Sequence, residues 1–183
     1  LPLAETASVF GEMLLNEEIY KKLNKEKKKI FLAEQIDDIY ATVMRQAFFT
    51  IFEIEAHKQI VEKSVTIDNI SDLYTKNLST QFGNSIRISE DFRWEWLYIP
   101  HFYHTPFYCY AYSFGNLLVL SLYQQFREEG KSFISKYLKI LSAGGSEKPE
   151  TLLKDSGFDI TKASFWQQGF DLIKMKIDKL KED

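Results

Sequence analysis

Apolar residues recur at spacings of three and four from Lys27 to Lys63, a stretch that contains neither glycine nor proline. A helix turns by about 100° per residue, so this spacing gathers the apolar side chains on one face. No convincing alternation of the kind that strands show occurs in the chain. The pattern predicts one long helix here and an all-α, multi-helix fold. The apolar positions are Ile36, Ile39, Tyr40, Val43, Ala47, Ile51, Ile54 and Val61.

Shorter patterns of the same kind predict further helices on both sides of this stretch. A helix from Pro106 to Glu129 is expected, with Pro106 in its first turn, where the missing proline N–H costs little. Gly144 can end the predicted helix "KSFISKYLKILSA", because glycine accepts the left-handed conformation that helix ends often need. No internal repeat or clear linker occurs, so residues 1–183 are expected to be a single region. The other predicted helices cover residues 2–14, "NEEIYKKL", residues 68–78, "KSFISKYLKILSA", "EKPETLLKD" and Trp166 to Leu180.

Charge and cysteine content limit the partners that the chain is expected to have. The net charge is only -3, which provides no broad positive field for nucleic acid or an anionic membrane. From Trp96 to Phe126 there is no charged residue, but tyrosines on all faces indicate a helix buried in protein rather than in lipid. Cys109 is the only cysteine, which excludes an internal disulfide and favours a reducing compartment. We therefore expect a cytoplasmic protein.

The first predicted helix carries two acids on one stripe. Glu5 and Glu12 are seven positions apart, so they point in nearly the same direction. A carboxylate can bind zinc, and a second one can orient a neighbouring ligand. The same spacing also fits a solvated helix face, which the spacing alone favours.

A charge-free segment brings histidines and tyrosines together within twelve residues. Imidazole and phenol groups in a dry site are suited to stabilising an oxyanion that develops on a carbonyl. Each tyrosine could instead be a core aromatic whose hydroxyl reaches a backbone carbonyl. The residues concerned are His101, Tyr103, His104, Tyr108, Tyr110 and Tyr112.

Five segments, in order along the whole chain, resemble oligoendopeptidase F of the thimet-oligopeptidase-like zinc peptidases. Each segment is weak evidence by itself, but their common order makes the resemblance specific. The segments are "PLAETASVFGE", "MRQAFFTIFEIEAH", "YIPHFYHTPFYCYAYSFG", "LSAGGSEKPETLL" and "FWQQGFDLIKMKIDKL".

The resemblance implies a mostly helical peptidase that admits only short peptides to a deep channel. In that family an HExxH helix and a glutamate of the next helix hold one zinc ion. Glu5 matches this glutamate, and Glu12 matches an acid in the outer shell of a zinc-binding histidine. Tyr110 is the best match to the catalytic tyrosine and His101 to the catalytic histidine. Tyr103 and His104 are the other candidates on this loop.

The sequence departs from the family pattern because it contains no HExxH. The family places this motif shortly before the segment that "LAETAS" resembles, so we expect a C-terminal portion of a catalytic domain. Alone, it is expected to be inactive, to hold zinc weakly and to form homodimers through uncovered apolar faces. The alternative is a helical interaction module without catalysis, which an exposed aromatic surface would serve. Convergence of Glu5, His101 and Tyr110 on one cleft would favour the peptidase.

Overall fold

A computed structural model describes Leu3 and residues 6–182 of the chain. Every regular element among these residues is helical, and none of them lies in a β-strand. The prediction of an all-α fold is therefore confirmed.

Nine α-helices are found in the described residues, together with two other helical segments. A π-helix at Tyr40–Met44 joins α2 to α3, and a 3-10 helix at Glu90–Tyr98 lies between α4 and α5. The α-helices are α1 (Thr6–Lys22), α2 (Lys25–Ile39), α3 (Arg45–Glu62), α4 (Ile67–Phe82), α5 (His101–His104), α6 (Tyr110–Glu129), α7 (Lys131–Ala143), α8 (Pro149–Asp155) and α9 (Ala163–Glu182).

The long helix predicted from Lys27 to Lys63 is interrupted. The chain remains helical, but the five residues Tyr40–Met44 form a π-helix, a wider turn that is often found near functional sites. The Val43 carbonyl in this segment accepts a hydrogen bond from the Ser113 hydroxyl at 2.8 Å. A π-helix turns by less per residue than an α-helix, so the buried face that follows it is displaced around the helix axis. Phe49, Phe52 and Ala56 of α3 are buried, whereas Ile51, Ile54 and Val61 of the predicted apolar face are exposed.

The predicted start of α6 is wrong. Pro106 lies before the helix, which begins at Tyr110. The reason is Phe107, whose φ of +59° cannot belong to a right-handed helix. The loop predicted before Pro106 also contains a helical turn, α5.

The chain divides into two compact units, and the first comprises residues 1–39 and 114–183. Its core centres on the buried Phe10 of α1, whose ring stacks on Tyr137 with 4.4 Å between ring centroids. Phe133 lies at 5.8 Å from the same ring. Leu118 and Leu122 supply the fully buried side of α6. Aromatic and leucine side chains from α1, α6 and α7 thus form one apolar core.

The second unit comprises residues 40–113. Its core includes Tyr74, which is fully buried and whose hydroxyl donates to Glu95 Oε2 at 2.6 Å. Burial, and then the Glu95 hydrogen bond, raise the pKa of Tyr74. Arg45 pairs with the other oxygen of Glu95, also at 2.6 Å. This carboxylate therefore connects α3, α4 and the 3-10 helix. That residues 1–183 form a single region of a catalytic domain stays a prediction.

The uncharged stretch from Trp96 to Phe126 is divided among the 3-10 helix, α5 and α6. Within the part of the chain that the structure describes, no helix has the length and apolar character needed to cross a membrane.

A close helix contact in the first unit gives a stability prediction. A Cβ added to Gly169 of α9 would lie 3.0 Å from Ser121 Oγ and 3.1 Å from the Leu117 carbonyl oxygen of α6. Overpacking costs roughly 1–3 kcal/mol, whereas the better helix propensity of alanine returns at most about 1 kcal/mol. We expect Gly169→Ala to lower the free energy of unfolding by about 1–2 kcal/mol in urea titrations.

Gly11 of α1 supplies the matched control, because a Cβ there would meet no atom within 4 Å. Gly11→Ala should raise the free energy of unfolding by up to about 1 kcal/mol. Equal stabilisation by both substitutions would show that α9 does not approach α6 as closely as described.

Candidate functional site

The histidines and tyrosines singled out in the sequence lie on α5, on α6 and on the α5–α6 turn, residues 105–109. α5 is a single helical turn that follows Pro100, in which the His104 amide donates to the Pro100 carbonyl at 2.9 Å. The Thr105 amide donates to the His101 carbonyl at 3.1 Å, and the helix ends there. A short, closed turn therefore fixes the backbone from which His101 projects.

The structure brings His101 together with Tyr108 and Tyr112, and we call these three residues the His101 cluster. The Nε2 atom of His101 is 3.0 Å from the Tyr112 hydroxyl oxygen, and their rings meet edge to face. The Tyr108 ring is parallel to the imidazole within 6°, at 6.4 Å between centroids. All three side chains are half-buried.

The geometry of the His101 cluster suits proton handling and hydrogen-bond donation. An imidazole that shares a hydrogen bond with a phenol has its ring orientation fixed, and its tautomer determines which partner donates. The other ring nitrogen then remains available for a further bond. Such groups can stabilise negative charge that develops on a carbonyl oxygen.

The other predicted residues of this segment lie in more exposed positions. Tyr103 is half-exposed and its hydroxyl donates to the Trp96 carbonyl at 3.4 Å. Partial burial raises the pKa of Tyr103. His104 ends α5 and is exposed, and Tyr110 begins α6 with 49% of its surface exposed. These residues share one segment with His101, and their catalytic roles stay predictions.

Of the two acids predicted on the first helix, only Glu12 lies among the described residues. Glu5 lies outside the described residues. Glu12 lies on the exposed side of α1, and its Oε1 accepts a hydrogen bond from Asn16 Nδ2 at 3.4 Å. Its role in the outer shell of a metal site stays a prediction.

A catalytic zinc ion takes three protein ligands and leaves a position open. Within Leu3 and residues 6–182, no three His, Cys, Asp or Glu side chains are grouped so that they could hold a metal ion. The residues described here do not fit a complete zinc site.

A buried acid beside the α5–α6 turn was missed in the sequence. Glu53 of α3 is only 2% exposed, and its Oε1 accepts a hydrogen bond from the Phe107 amide at 2.8 Å. The left-handed φ of Phe107 costs about 1–2 kcal/mol for a residue with a side chain. The sequence did contain a sign of this buried acid. Glu53 lies on the same helical face as Phe49, Phe52 and Ala56, which form the buried face of α3.

The same turn leads to a fully buried cysteine, Cys109. Burial, with a smaller contribution from the charge of Glu53, raises the pKa of the Cys109 thiol to about 11. A thiol that is buried and protonated is a poor nucleophile. Cys109 therefore serves as part of the core that anchors the turn.

Comparison with known proteins agrees with the resemblance seen in the sequence. The chain is 34% identical over 181 residues to an oligoendopeptidase F homolog of Borreliella burgdorferi, covering 98% of this chain and 30% of that protein. It is 31% identical to the oligopeptidase PepF of Bacillus subtilis, covering 98% of this chain and 27% of that protein. The chain thus spans about a third or less of the length of these relatives.

Structural comparison gives the same result. The crystal structure of oligoendopeptidase-F from Enterococcus faecium matches with a TM-score of 0.90 at 27% identity, covering 99% of this chain and 35% of that one. The family model for peptidase family M3 matches residues 1–172. The chain belongs to peptidase family M3, as the oligoendopeptidase F resemblance had implied.

Proposed function

We propose that this chain is the C-terminal part of the catalytic domain of a zinc-dependent oligopeptidase that hydrolyses peptide bonds in short peptides. The match to family M3 over residues 1–172 carries the proposal. The names of the relatives, oligoendopeptidase and oligopeptidase, support short peptides as the substrate class. The lone cysteine supports a reducing compartment, which we propose to be the cytoplasm.

Zinc in such an enzyme would supply Lewis acidity and an activated water molecule. Following the resemblance, we propose that Glu5 contributes one carboxylate ligand and that an HExxH segment outside this chain contributes the histidines. Glu12 would act in the outer shell of one of them. The described residues do not by themselves form a complete zinc site.

The part of the reaction assigned to this chain is stabilisation of the oxygen of the scissile carbonyl. His101 and Tyr110 would donate hydrogen bonds as negative charge develops on that oxygen. Tyr112 would hold the His101 ring through the 3.0 Å contact to Nε2. Tyr103 and His104, on the same helical turn as His101, are the further candidates for contact with the substrate.

Removing the Tyr110 hydroxyl tests this assignment. In the longer protein that contains this chain, we expect Tyr110→Phe to lower kcat by roughly 10²- to 10³-fold, the usual cost of losing one oxyanion donor. Hydrolysis of an internally quenched oligopeptide provides the measurement. Tyr98→Phe is the matched control, because Tyr98 lies on the 3-10 helix with 85% of its surface exposed. A Tyr110→Phe rate within a few-fold of the unmodified protein would remove Tyr110 from this role.

A second prediction concerns the 183-residue chain by itself. Without two further ligands it should retain less than stoichiometric zinc after dialysis and should not cleave the quenched peptide when zinc is added. Metal analysis and fluorescence measure the two outcomes. One tightly held zinc ion per chain, or zinc-dependent cleavage, would contradict the proposed division of ligands.

We also propose that the isolated chain self-associates. A helical interaction module, the alternative function, would bind a partner through the same kind of exposed surface. Four isoleucine or valine side chains of α3 are exposed: Ile51 by 56%, Ile54 by 53%, Ile60 by 54% and Val61 by 86%. Exposed apolar patches favour association. Light scattering should show a homodimer that Ile51→Glu with Ile54→Glu weakens, whereas a monomer at every concentration would exclude this behaviour.

A further inference from the structure

The strongest feature outside the proposed catalytic groups is the contact between Glu53 and the α5–α6 turn. Glu53 Oε1 lies 2.8 Å from the Phe107 amide nitrogen, and Phe107 is the only described non-glycine residue with a positive φ. We propose that Glu53 is a positioning residue that holds Phe107 in this left-handed conformation and thereby sets the geometry of the His101 cluster. Its consequence for catalysis rests on the proposed peptidase function.

Core stability does not explain why an acid occupies this position. Glu53 is 2% exposed, and its Oε2 has no hydrogen-bond partner among the described residues. A buried carboxylate that is only partly satisfied is costly, and an apolar residue of similar size often packs as well or better. The neighbours on the buried face of α3 are apolar, as an ordinary core contact would require. The role of Glu53 therefore lies in the group that it binds, the Phe107 amide.

The bond from Glu53 is suited to holding an unfavourable backbone conformation. A carboxylate that accepts from an amide forms a stronger hydrogen bond than a neutral acceptor does, and the burial of Glu53 on its side of the bond strengthens it further. An aromatic residue rarely adopts a positive φ unless its surroundings impose it. The ring of Phe107 also lies 4.7 Å from the His57 ring, one helical turn after Glu53 on α3. α3 therefore contacts Phe107 twice: Glu53 binds its backbone amide, and His57 packs against its ring.

The conformation of Phe107 reaches the His101 cluster through the next residue. Tyr108 follows Phe107 directly, so the Phe107 dihedral angles determine where the Tyr108 side chain starts. The Tyr108 ring lies 5.4 Å from Tyr112 and is parallel to His101. If the turn relaxed to a negative φ, Tyr108 would leave this arrangement. Loss of the Glu53 bond should therefore disturb the cluster although Glu53 itself is not in it.

The fully buried Cys109 makes the turn measurable without any catalytic assay. It is the only cysteine of the chain, so alkylation by iodoacetamide reports one site. Its thiol can react only when the segment around it opens. We expect Glu53→Leu, which removes the acceptor and keeps the size, to raise the alkylation rate of the folded 183-residue chain roughly tenfold or more, since hydrogen bonds to charged groups are among the stronger ones.

Three further variants separate this effect from general loss of stability. Glu53→Gln keeps an acceptor oxygen and should raise the rate by less than Glu53→Leu. Glu55→Gln, on the same helix and bonded to Gln59, should leave it unchanged. Phe107→Asn should reduce the effect of Glu53→Leu, because asparagine adopts the left-handed conformation more readily. Urea unfolding of each variant gives the contribution of global unfolding to the alkylation rate.

The inference is supported if the Glu53→Leu rate rises by more than the unfolding equilibrium changes and if Phe107→Asn suppresses the rise. It is overturned if the rate is unchanged or follows global unfolding alone. If Glu53→Leu does not fold, faster hydrogen exchange of the Phe107 amide in Glu53→Gln gives the supporting result, and unchanged exchange overturns the inference.

Peptide hydrolysis by the longer protein then distinguishes the inference from the proposed function. Glu53→Leu should lower kcat with little change in KM, and Glu53→Gln should restore part of the loss. An active protein whose kcat is insensitive to both substitutions would overturn the positioning role while the proposed function stands. A longer protein that cleaves no peptide would overturn the proposed function, while the alkylation and exchange results decide the role of Glu53.

Discussion

One partly buried hydrogen bond determines how the candidate site is arranged. The Glu53 carboxylate accepts from the Phe107 amide, and Phe107 has the left-handed φ that lets the chain turn from α5 into α6. Because this turn is not helical, α6 begins at Tyr110. His101 of α5 can then form its contact with the Tyr112 hydroxyl of α6. The bond joins residues that are 54 positions apart, so helix α3 sets the geometry of a segment far along the sequence.

The distinction between the two sides of α3 fits this arrangement. Its buried face carries Phe49, Phe52 and Ala56 with the single acid Glu53 among them, whereas Ile51 and Ile54 are exposed. Burying a carboxylate while leaving isoleucines in contact with solvent is the reverse of what the hydrophobic effect favours within one isolated helix. The arrangement has a physical reason when Glu53 binds the α5–α6 turn and the exposed isoleucines pack against another surface. We propose that surface to be a second copy in the isolated chain.

The sequence predicted the helical fold well because apolar period and helix geometry are local properties. It did not predict the π-helix at Tyr40–Met44, because apolar residues continue at spacings of three and four on both sides of it. An uninterrupted helical period therefore assigned Ile51 and Ile54 to the apolar face, although both are exposed. It also placed Pro106 inside α6, since proline is common in a first turn. The sign of the Phe107 φ depends on a distant carboxylate, which no local rule takes into account.

Part of the candidate site was predictable from the residue types in one segment rather than from helical period. The concentration of histidine and tyrosine from His101 to Tyr112 was visible in the sequence, and the family resemblance connected it with peptide hydrolysis. The pairing of His101 with Tyr112, and the role of Glu53, required three-dimensional structure, because both depend on which faces of the helices meet. The roles of Glu5 and Glu12 rest on the resemblance alone.

The most direct test of the account is a crystal structure of the longer protein with zinc and a phosphinate peptide, which resembles the tetrahedral state of the reaction. We expect a phosphinate oxygen within about 3 Å of His101 or of the Tyr110 hydroxyl, at hydrogen-bond distance, with Phe107 still left-handed and bonded to Glu53. A phosphinate bound away from the α5–α6 turn, with none of its residues in contact, would contradict the central claim that this segment stabilises the reacting carbonyl.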